Sequence, residues 1–391
     1  MSGVALVLPL KTRCALVVTL LFAFIASLPT TVYAQIPDSE RRLWAVDFRS
    51  IPPYRQLKLQ QHEVARGASV VFVDANTVAV TYRFADSTPT QAMDSVSFFD
   101  ANTGALRDSL QWFTHDRFPA YRDFVCVLPT HNGEFLVMVG RSVRHYSSDH
   151  KELNVRPVPN GDHNDWEWLV KVAPDGQTAL MKRWGSGTGP SEDHWLSPDT
   201  LEDHAVVSAP FYGFGYAIGR DFVVYNPAFG DDPQTNRIHV HSSTGEDRVL
   251  CAECKGANFG IVNNRIFFGG LPAGTGVVTT TDGRILWRNT FGREHQPVSQ
   301  VSVARESSQV AFYMTYLRRH AISRVVVIDT ATLREVRRID FEDPGEQVGG
   351  GVRFLWPIIA ISPDGTKLAL LWRTESADHH DKLEVFPLTR R

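Results

Sequence analysis

Short apolar runs separated by turn-forming residues recur along most of the chain. In the clearest case, Ile361-Ser-Pro-Asp-Gly-Thr-Lys-Leu-Ala-Leu-Leu-Trp372, one apolar run enters a Ser-Pro-Asp-Gly turn and a second leaves it. Asn, Asp, Gly and Pro reach turn dihedrals at low cost, so each such unit predicts a β-hairpin. Seven turns of this first type are predicted, about 43 to 57 residues apart: Asp74–Asn76, His131–Gly133, Pro174–Gly176, Gly219–Asp221, Asn263–Asn264, Arg305–Ser307 and Pro363–Gly365.

Turns of a second type alternate with the first. Val96-Ser-Phe-Phe-Asp100 precedes Ala-Asn-Thr-Gly104, and Val325-Val-Val-Ile-Asp329 precedes Thr-Ala-Thr332. Four looser copies are Arg144–Asp149, Trp195–Asp199, Ile238–Gly245 and Val277–Gly283. Together the two turn types give about four short strands per unit of about 40 to 50 residues, which is the pattern of a β-propeller blade. We therefore predict an all-β protein, a seven-bladed β-propeller of four-stranded antiparallel blades.

The last predicted blade is short of one strand. It has strands around Pro363–Gly365 and then Lys382–Leu388. Two N-terminal segments, Leu43–Phe48 and Gln56–Gln60, have strand-like patterns. We predict that an N-terminal strand, most simply Gln56–Gln60, closes the ring, because closure hides the edges that an open array would expose. The two competing segments leave eight blades as an alternative, and six blades would require discarding a turn.

These repeats resemble those of known bacterial propellers. Phe98-Phe-Asp-Ala-Asn-Thr-Gly104 and Val325-Val-Val-Ile-Asp-Thr-Ala-Thr332 are similar to YVTN-type repeats, and Ile361-Ser-Pro-Asp-Gly-Thr-Lys-Leu-Ala369 is similar to the WD40-like repeat of TolB-type propellers. The chain departs from eukaryotic WD40 repeats, since no Trp-Asp pair ends a strand and no Gly-His pair opens a blade. The resemblance implies a blade architecture and no reaction, because these motifs contain no catalytic residues.

The first 34 residues have a different composition from the rest. Lys11 and Arg13 precede the apolar run Cys14–Leu28, and Val32 and Ala34 occupy the positions that a signal peptidase reads before Gln35. This pattern predicts a cleavable signal peptide at 1–34 and a single propeller domain at 35–391, in the periplasm or outside the cell. An uncleaved anchor is the alternative, although about 15 apolar residues are fewer than the ~20 that span a bilayer.

The net charge and the aromatic content of the chain indicate which classes of binding partner to expect. The net charge of −3 gives no reason to expect a nucleic acid or an anionic membrane surface as a partner. An aromatic content of 11% suits strands that pack face to face. We expect an unidentified secreted protein or small ligand as partner, no membrane insertion after signal cleavage, and a monomer.

Three cysteines remain after the predicted cleavage. Cys251 and Cys254 could close a small disulfide ring in an oxidising compartment, and a reduced pair is the alternative. Cys126 lies in the apolar segment Phe124–Leu128, which predicts a buried, unreactive thiol. Lys255 stands where a haem-attachment motif has histidine, so covalent haem is not predicted.

Two groups are weak candidates for binding a divalent metal. His239 and His241 are two residues apart on a predicted strand, so their imidazoles share one face. The run Asp378, His379, His380 and Asp381 alternates carboxylates with imidazoles in a predicted loop. A polar outer face and a solvated loop are the alternatives, and no other cofactor is predicted.

Acidic and aromatic residues cluster around the predicted third blade, in 162–168 and 184–194. The Gly-rich part of 184–194 lacks the Lys-Ser/Thr ending of a phosphate-binding loop, which favours a flexible connection. Aromatic and acidic residues on propeller loops are where a ligand or partner would dock.

No local catalytic motif occurs in the chain, and no catalytic residue is predicted. The leading hypothesis is therefore a secreted, non-catalytic binding module. The alternative is a periplasmic propeller enzyme, either a metal-dependent lactonase-like hydrolase or a quinoprotein amine dehydrogenase-like subunit, since such sites collect single residues from many blades. A structural protein of the cell envelope is a third possibility.

Overall fold

The structure is a computed structural model, and it describes these residues: 42–51, 69–85, 92–114, 125–140, 142–158, 166–185, 191–209, 216–227, 237–270, 273–291, 297–314, 322–342, 354–374 and 381–388. They belong to one compact unit, Ser39–Arg391. Over these residues the chain forms β-strands and one short 3₁₀ helix, Phe48–Ser50. None of the described segments is a helix with the length and apolarity needed to cross a membrane.

The described strands form seven antiparallel four-stranded sheets. Strand β1 is the N-terminal segment Trp44–Asp47. Blade 1 contains β2 (Val70–Asp74), β3 (Thr77–Ala85), β4 (Ala92–Asp100) and β5 (Leu106–Thr114); blade 2 contains β6 (Cys126–Pro129), β7 (Phe135–Val139), β8 (Ser142–Tyr146) and β9 (Glu152–Pro157); blade 3 contains β10 (Trp166–Val172), β11 (Ala179–Gly185), β12 (Ser191–Leu196) and β13 (Asp203–Ala209). Blade 4 contains β14 (Tyr216–Ile218), β15 (Phe222–Tyr225), β16 (His239–Ser242) and β17 (Asp247–Val249); blade 5 contains β18 (Gly256–Val262), β19 (Arg265–Gly270), β20 (Thr275–Thr280) and β21 (Ile285–Thr290); blade 6 contains β22 (Val298–Val303), β23 (Gln309–Met314), β24 (Ile322–Asp329) and β25 (Glu335–Glu342); blade 7 contains β26 (Phe354–Ile361), β27 (Lys367–Thr374), β28 (Lys382–Pro387) and β1.

The blades form a closed ring. The first strand of each blade contacts the first strand of the next, from β2 through β6, β10, β14, β18 and β22 to β26, and β26 contacts β2. These strands therefore surround the central channel, and the fourth strands lie outermost. This arrangement confirms the predicted seven-bladed propeller of four-stranded blades.

An N-terminal strand closes the ring, as predicted, but it is β1 and not the segment Gln56–Gln60. Strand β1 pairs antiparallel with β28, with Trp44 opposite Val385 and Asp47 opposite Lys382. The indole of Trp44 is buried and its Nε1 donates to the carbonyl of Ala101, 3.0 Å away, in the neighbouring blade. A large aromatic side chain that reaches blade 1 gives this segment packing that the polar pattern of 56–60 lacks. Residues 56–60 lie outside the described part of the chain.

Apolar clusters fill all seven interfaces between blades. Between blades 1 and 2, for example, the rings of Phe98 and Phe135 pack with centroids 5.3 Å apart. Each blade packs against a neighbouring blade on both of its faces, so its inner strands carry apolar side chains on both faces. Every residue of β7 (Phe135–Val139) is buried, which explains why the inner strands read as continuous apolar runs in the sequence.

The turns that identified the repeat use two local devices. In the first type, Gly365 has a φ of +73° and its N–H donates to the carbonyl of Ser362, while Asp364 accepts from the backbone N–H of Thr366. In the second type, Asp329 Oδ1 accepts from the backbone N–H of Ala331 and of Thr332. Short carboxylate side chains that bond their own backbone favour such turns over continued strand.

One arginine crosses the channel where the first-type turns meet. Nη1 of Arg305, in blade 6, donates to the carbonyl of Thr130 in blade 2 at 2.8 Å, and Nη2 donates to the carbonyl of Val73 in blade 1 at 3.1 Å. Burial lowers the pKa of Arg305 from its ordinary value, yet an arginine remains charged. The side chain thus ties opposite sides of the ring together at this end.

Candidate functional site

A tight turn in blade 2 presents two metal-ligating side chains. Asn132 and Gly133 both have positive φ, 56° and 76°, and the N–H of Glu134 donates to the carbonyl of His131 at 3.0 Å. This is the hairpin geometry that an Asn-Gly pair favours. His131 and Glu134 therefore stand on the two sides of a rigid turn between β6 and β7.

A second turn, in blade 3, brings a carboxylate to the same place. Asp199 lies between β12 and β13, where the N–H of Leu201 donates to the carbonyl of Ser197 at 2.8 Å. Leu201 is buried in the apolar cluster shared by blades 2 and 3, so blade packing fixes the position of the turn. Oδ1 of Asp199 lies 3.6 Å from Nε2 of His131.

His131, Glu134 and Asp199 form one cluster at the junction of blades 2 and 3. Within the described residues, they are the one group of three histidine, cysteine or acidic side chains whose ligand atoms all lie within 4.8 Å of one another. The side chains of His131 and Asp199 are 33% and 54% exposed, so the group opens to solvent. One imidazole nitrogen and two carboxylates converge there, although 68 residues separate the first from the last.

Neighbouring groups orient two of these side chains. Nδ1 of His131 lies 3.3 Å from the carbonyl of Gly176, in the turn between β10 and β11. Gly176 has a φ of +71°, and a Cβ there would stand 2.6 Å from the backbone of Thr130 and His131, so only glycine allows this approach. Oε2 of Glu134 lies 2.9 Å from Nε2 of His145 on β8, whose side chain is 3% exposed.

A second polar group is buried between blades 3 and 4. Nζ of Lys182 on β11 lies 3.1 Å from Oδ1 of Asp193 on β12, and both side chains have at most 1% exposure. Burial lowers the pKa of Lys182, and the Asp193 carboxylate opposes that shift. The other ionisable groups that interact with this pair across the interface are Tyr216, Tyr225 and His241.

The structure places the predicted pair His239 and His241 at the edge of this buried group. Nδ1 of His239 lies 3.0 Å from Oδ2 of Asp247, and Nδ1 of His241 lies 4.0 Å from Oδ1 of the same carboxylate. The hydroxyl of Tyr225 donates to Asp247 at 2.8 Å. Asp247 thus holds His239 and lies near His241 on one face of β16, and metal binding by this pair stays a prediction.

Of the second predicted metal group, only Asp381 lies in the described part of the chain. Asp381 is buried, and its carbonyl accepts from the N–H of Phe48 at 3.0 Å; residues 378–380 lie outside the described part of the chain. Cys251 and Cys254 form a disulfide in the connection from blade 4 to blade 5. Cys126 is half-buried, not fully buried as predicted, but desolvation still raises the pKa of its thiol to about 11 and so disfavours the reactive thiolate.

The buried imidazole of His241 is expected to make folding sensitive to acid. Burial lowers its pKa, with Lys182 acting in the same direction and Asp193 and Asp247 opposing it. Unfolding restores the ordinary value of about 6.5, so the unfolded chain binds the proton at a higher pH than the folded one. Stability from this residue is therefore present above about pH 6.5 and falls below it, by at most about 1.4 kcal/mol per pH unit.

Urea unfolding of the wild type and of His241→Gln between pH 7.5 and pH 5.5 measures this contribution. The variant should lose less stability on acidification than the wild type does. His204→Gln, at an exposed position on β13, is the matched control and should keep the wild-type slope. An unchanged slope in His241→Gln would contradict the assignment.

Sequence patterns identified the turn His131–Gly133 but not the group it belongs to. The spacing of His131 and Glu134 is the only local signal, and nothing in the sequence links either residue to Asp199. The Lys182–Asp193 pair was also missed, because a lysine and an aspartate on predicted strands are ordinarily surface residues.

One solved structure with a TM-score of 0.50 supports this fold. The β-propeller domain of the Trilobed protease from Pyrococcus furiosus, described as having an open velcro topology, matches with a TM-score of 0.50 at 13% identity over 83% of this chain and 96% of that one. A chain of the Mitotic Checkpoint Complex matches with a TM-score of 0.48 at 13% identity over 85% and 93%. A protein of unknown function from Bacteroides caccae matches with a TM-score of 0.40 at 15% identity over 63% and 90%.

No family model and no curated protein matches the sequence. The YVTN-type or TolB-type assignment of the repeats therefore stays a prediction. At 13% identity the likeness to the propeller domain from Pyrococcus furiosus concerns the fold alone. In that respect the chain is similar to β-propeller proteins, and its own last blade is completed by the N-terminal strand β1.

Proposed function

We propose that this chain is a secreted, non-catalytic binding module whose partner docks on the end of the ring opposite the short turns. The observation that carries the proposal is the difference between the two ends of the ring. At the short-turn end, backbone and side chains bond to neighbouring blades: Arg305 crosses the channel, Lys367 Nζ donates to the carbonyl of Ala75 at 3.0 Å, and the N–H of Glu306 donates to that of Pro363.

The strands that end each blade finish at the other end of the ring; examples are β5 at Thr114, β9 at Pro157 and β25 at Glu342. The segments 115–124, 159–165 and 343–353 follow these strands in the sequence and lie outside the described residues. A rigid scaffold that carries variable connections at one end is a common way for a propeller to present a binding surface.

Blade 3 is the most favourable part of that end. Strand β10 begins at Trp166 directly after 159–165, and β11 continues to Gly185. Half of the stretch 184–194, predicted as a loop, is thus strand, and 186–190 lie outside the described residues. The sequence has Trp166, Trp168 and Trp184 in these strands, and tryptophan is enriched in binding surfaces.

A quantitative capture experiment with the chain 35–391 tests this proposal. The immobilised wild type is compared with Asp162→Ala/Asp165→Ala at the long-connection end and with Asp149→Ala/Lys151→Ala, an exposed ion pair at the short-turn end. We expect a purified partner to bind the wild type and the short-turn variant equally. It should bind the Asp162→Ala/Asp165→Ala variant at least about tenfold more weakly.

Equal binding to all three proteins would contradict the proposed surface. A visible chromophore in the purified protein, or turnover of lactones, would favour the enzyme hypothesis over a binding module. Secretion has its own test: export from a bacterial host should yield a protein whose N-terminal residue is Gln35, and retention of residues 1–34 would contradict it.

A further inference from the structure

The geometry points to a binding site for a divalent transition-metal cation of the Zn²⁺ class, formed by His131, Glu134 and Asp199 at the junction of blades 2 and 3. This site is separate from the partner surface proposed above, since it lies among the short turns. The donor set is one imidazole nitrogen and two carboxylates, which suits zinc and related divalent ions.

The spacing of the ligand atoms fits an ion between them. Zinc binds nitrogen and oxygen ligands at about 2.1 Å, and tetrahedral geometry then separates two ligand atoms by about 3.4 Å. Nε2 of His131 and Oδ1 of Asp199 are 3.6 Å apart, which is long for a direct hydrogen bond. The third ligand atom, from Glu134, lies within 4.8 Å of both.

The hydrogen bonding of His131 leaves the right nitrogen available. A carbonyl can only accept, so the contact between Nδ1 and the Gly176 oxygen at 3.3 Å places the proton on Nδ1. In the neutral ring, Nε2 then carries the lone pair and faces Asp199. A lone pair facing a carboxylate is repulsive unless a cation lies between them. Histidine side chains that bind zinc characteristically donate their other ring N–H to a backbone carbonyl, a carboxylate or water.

The buried side chain of His145 contacts Glu134 and orients its carboxylate. Its Oε2 contacts Nε2 of His145 at 2.9 Å, so Oε1 is the oxygen left for an ion. The His145 ring is buried, and among the described residues its Nδ1 has no hydrogen-bond partner. The contact with Glu134 is thus the one hydrogen-bonding interaction of this ring among the described residues, and His145 acts as a positioning residue for the ligand.

Selectivity follows from the donor set. Ca²⁺ and Mg²⁺ prefer all-oxygen coordination, and the imidazole nitrogen of His131 favours a transition-metal ion over either of them. An ion held here joins the turn of blade 2 to the turn of blade 3. Because it binds the folded ring and not the unfolded chain, it raises the unfolding midpoint in proportion to the logarithm of its concentration.

The test is a Zn²⁺ titration of the untagged, chelator-treated chain 35–391, followed by calorimetry and by the thermal unfolding midpoint. The expected result is one saturable site and a rise in the unfolding midpoint, with no comparable rise for Mg²⁺ or Ca²⁺. His131→Gln and Asp199→Asn should each weaken Zn²⁺ binding at least about tenfold. Asp149→Asn, at the equivalent exposed turn of blade 2, should bind as the wild type does.

A second readout separates the metal site from a plain ion pair between His131 and Asp199. Binding of Co²⁺ in place of Zn²⁺ should give a visible absorption band that Asp199→Asn abolishes. Asp199 is 54% exposed, so this variant is expected to fold. Stability loss in both variants with no Zn²⁺-dependent change in the wild type would overturn the proposal, as would Zn²⁺ binding that survives both substitutions.

Discussion

A chain that begins at Ile51, and so lacks β1, is expected to lose its cooperative fold. Strand β1 supplies the outer strand of blade 7, and its loss exposes the whole edge of β28, which pairs with residues 44–47. Removal also empties the space that Trp44 and Phe48 occupy between blades 7 and 1. Two buried aromatic side chains contribute about 3–5 kcal/mol each, which is comparable to the whole net stability of a typical domain.

The substitution Trp44→Ala gives a graded version of the same result. It removes a buried indole, its hydrogen bond to Ala101 and its packing against Phe99, whose ring centroid is 6.4 Å away. The expected loss is about 3–5 kcal/mol in the free energy of unfolding measured with urea. Arg42→Ala is the control: its ion pair with Glu384 is 51% exposed on the arginine side and should contribute about 1 kcal/mol or less.

Cooperative unfolding of the truncated chain at the wild-type midpoint would show that β1 does not close the ring. If the truncated chain does not fold at all, a synthetic peptide of residues 42–51 provides the second measurement. Added in excess, it should restore the far-ultraviolet spectrum of the folded protein, because the β28 edge is complementary to it. No recovery of that spectrum with the peptide would contradict closure of the ring by β1.

Breaking the buried ion pair between blades 3 and 4 is expected to cost more than replacing it. Lys182→Met leaves the Asp193 carboxylate in a water-excluded interface, and Asp193→Leu leaves the lysine there. Each single substitution should lower the free energy of unfolding by about 3–5 kcal/mol. The double variant removes both charges, fills a similar volume with apolar groups, and should lie within about 1–2 kcal/mol of the wild type.

A double-mutant cycle with urea unfolding measures the coupling directly. The two single losses should exceed the loss in the double variant by several kcal/mol. Additive losses would mean that Lys182 and Asp193 interact mainly with other groups of the interface. The Asp193 charge affects the pKa values of three such groups, His241, Tyr216 and Tyr225. The surface pair Lys151–Asp149, 2.6 Å apart but exposed, is the matched control and should show little coupling.

The blade pattern was readable from the sequence because it depends on local chemistry. Asp364 and Gly365 define their turn through bonds and dihedrals within five residues of chain. Asp100 defines the second type in the same way, by accepting from the N–H of Asn102 and of Thr103. Such turns survive any change in distant packing, so counting them gives the number of blades correctly.

Ring closure was only half predictable. Both Trp44–Asp47 and Gln56–Gln60 have strand-like patterns, and pairing with β28 requires only an extended backbone. What distinguishes them is a long-range contact, the burial of Trp44 against Phe99 and Ala101 of blade 1. No local sequence pattern contains that information, and the prediction that Gln56–Gln60 closes the ring was wrong.

The sequence by itself determined the all-β class, the two turn types and the number of blades, because those properties follow from the dihedral preferences and side-chain bonds of neighbouring residues. Only the tertiary structure decided which strand closes the ring, that Arg305 crosses the channel, and that Asp199 joins His131 and Glu134. These are contacts between residues tens to hundreds of positions apart. They exist because the blades pack around a ring, which brings turns of different blades within a few ångströms of each other.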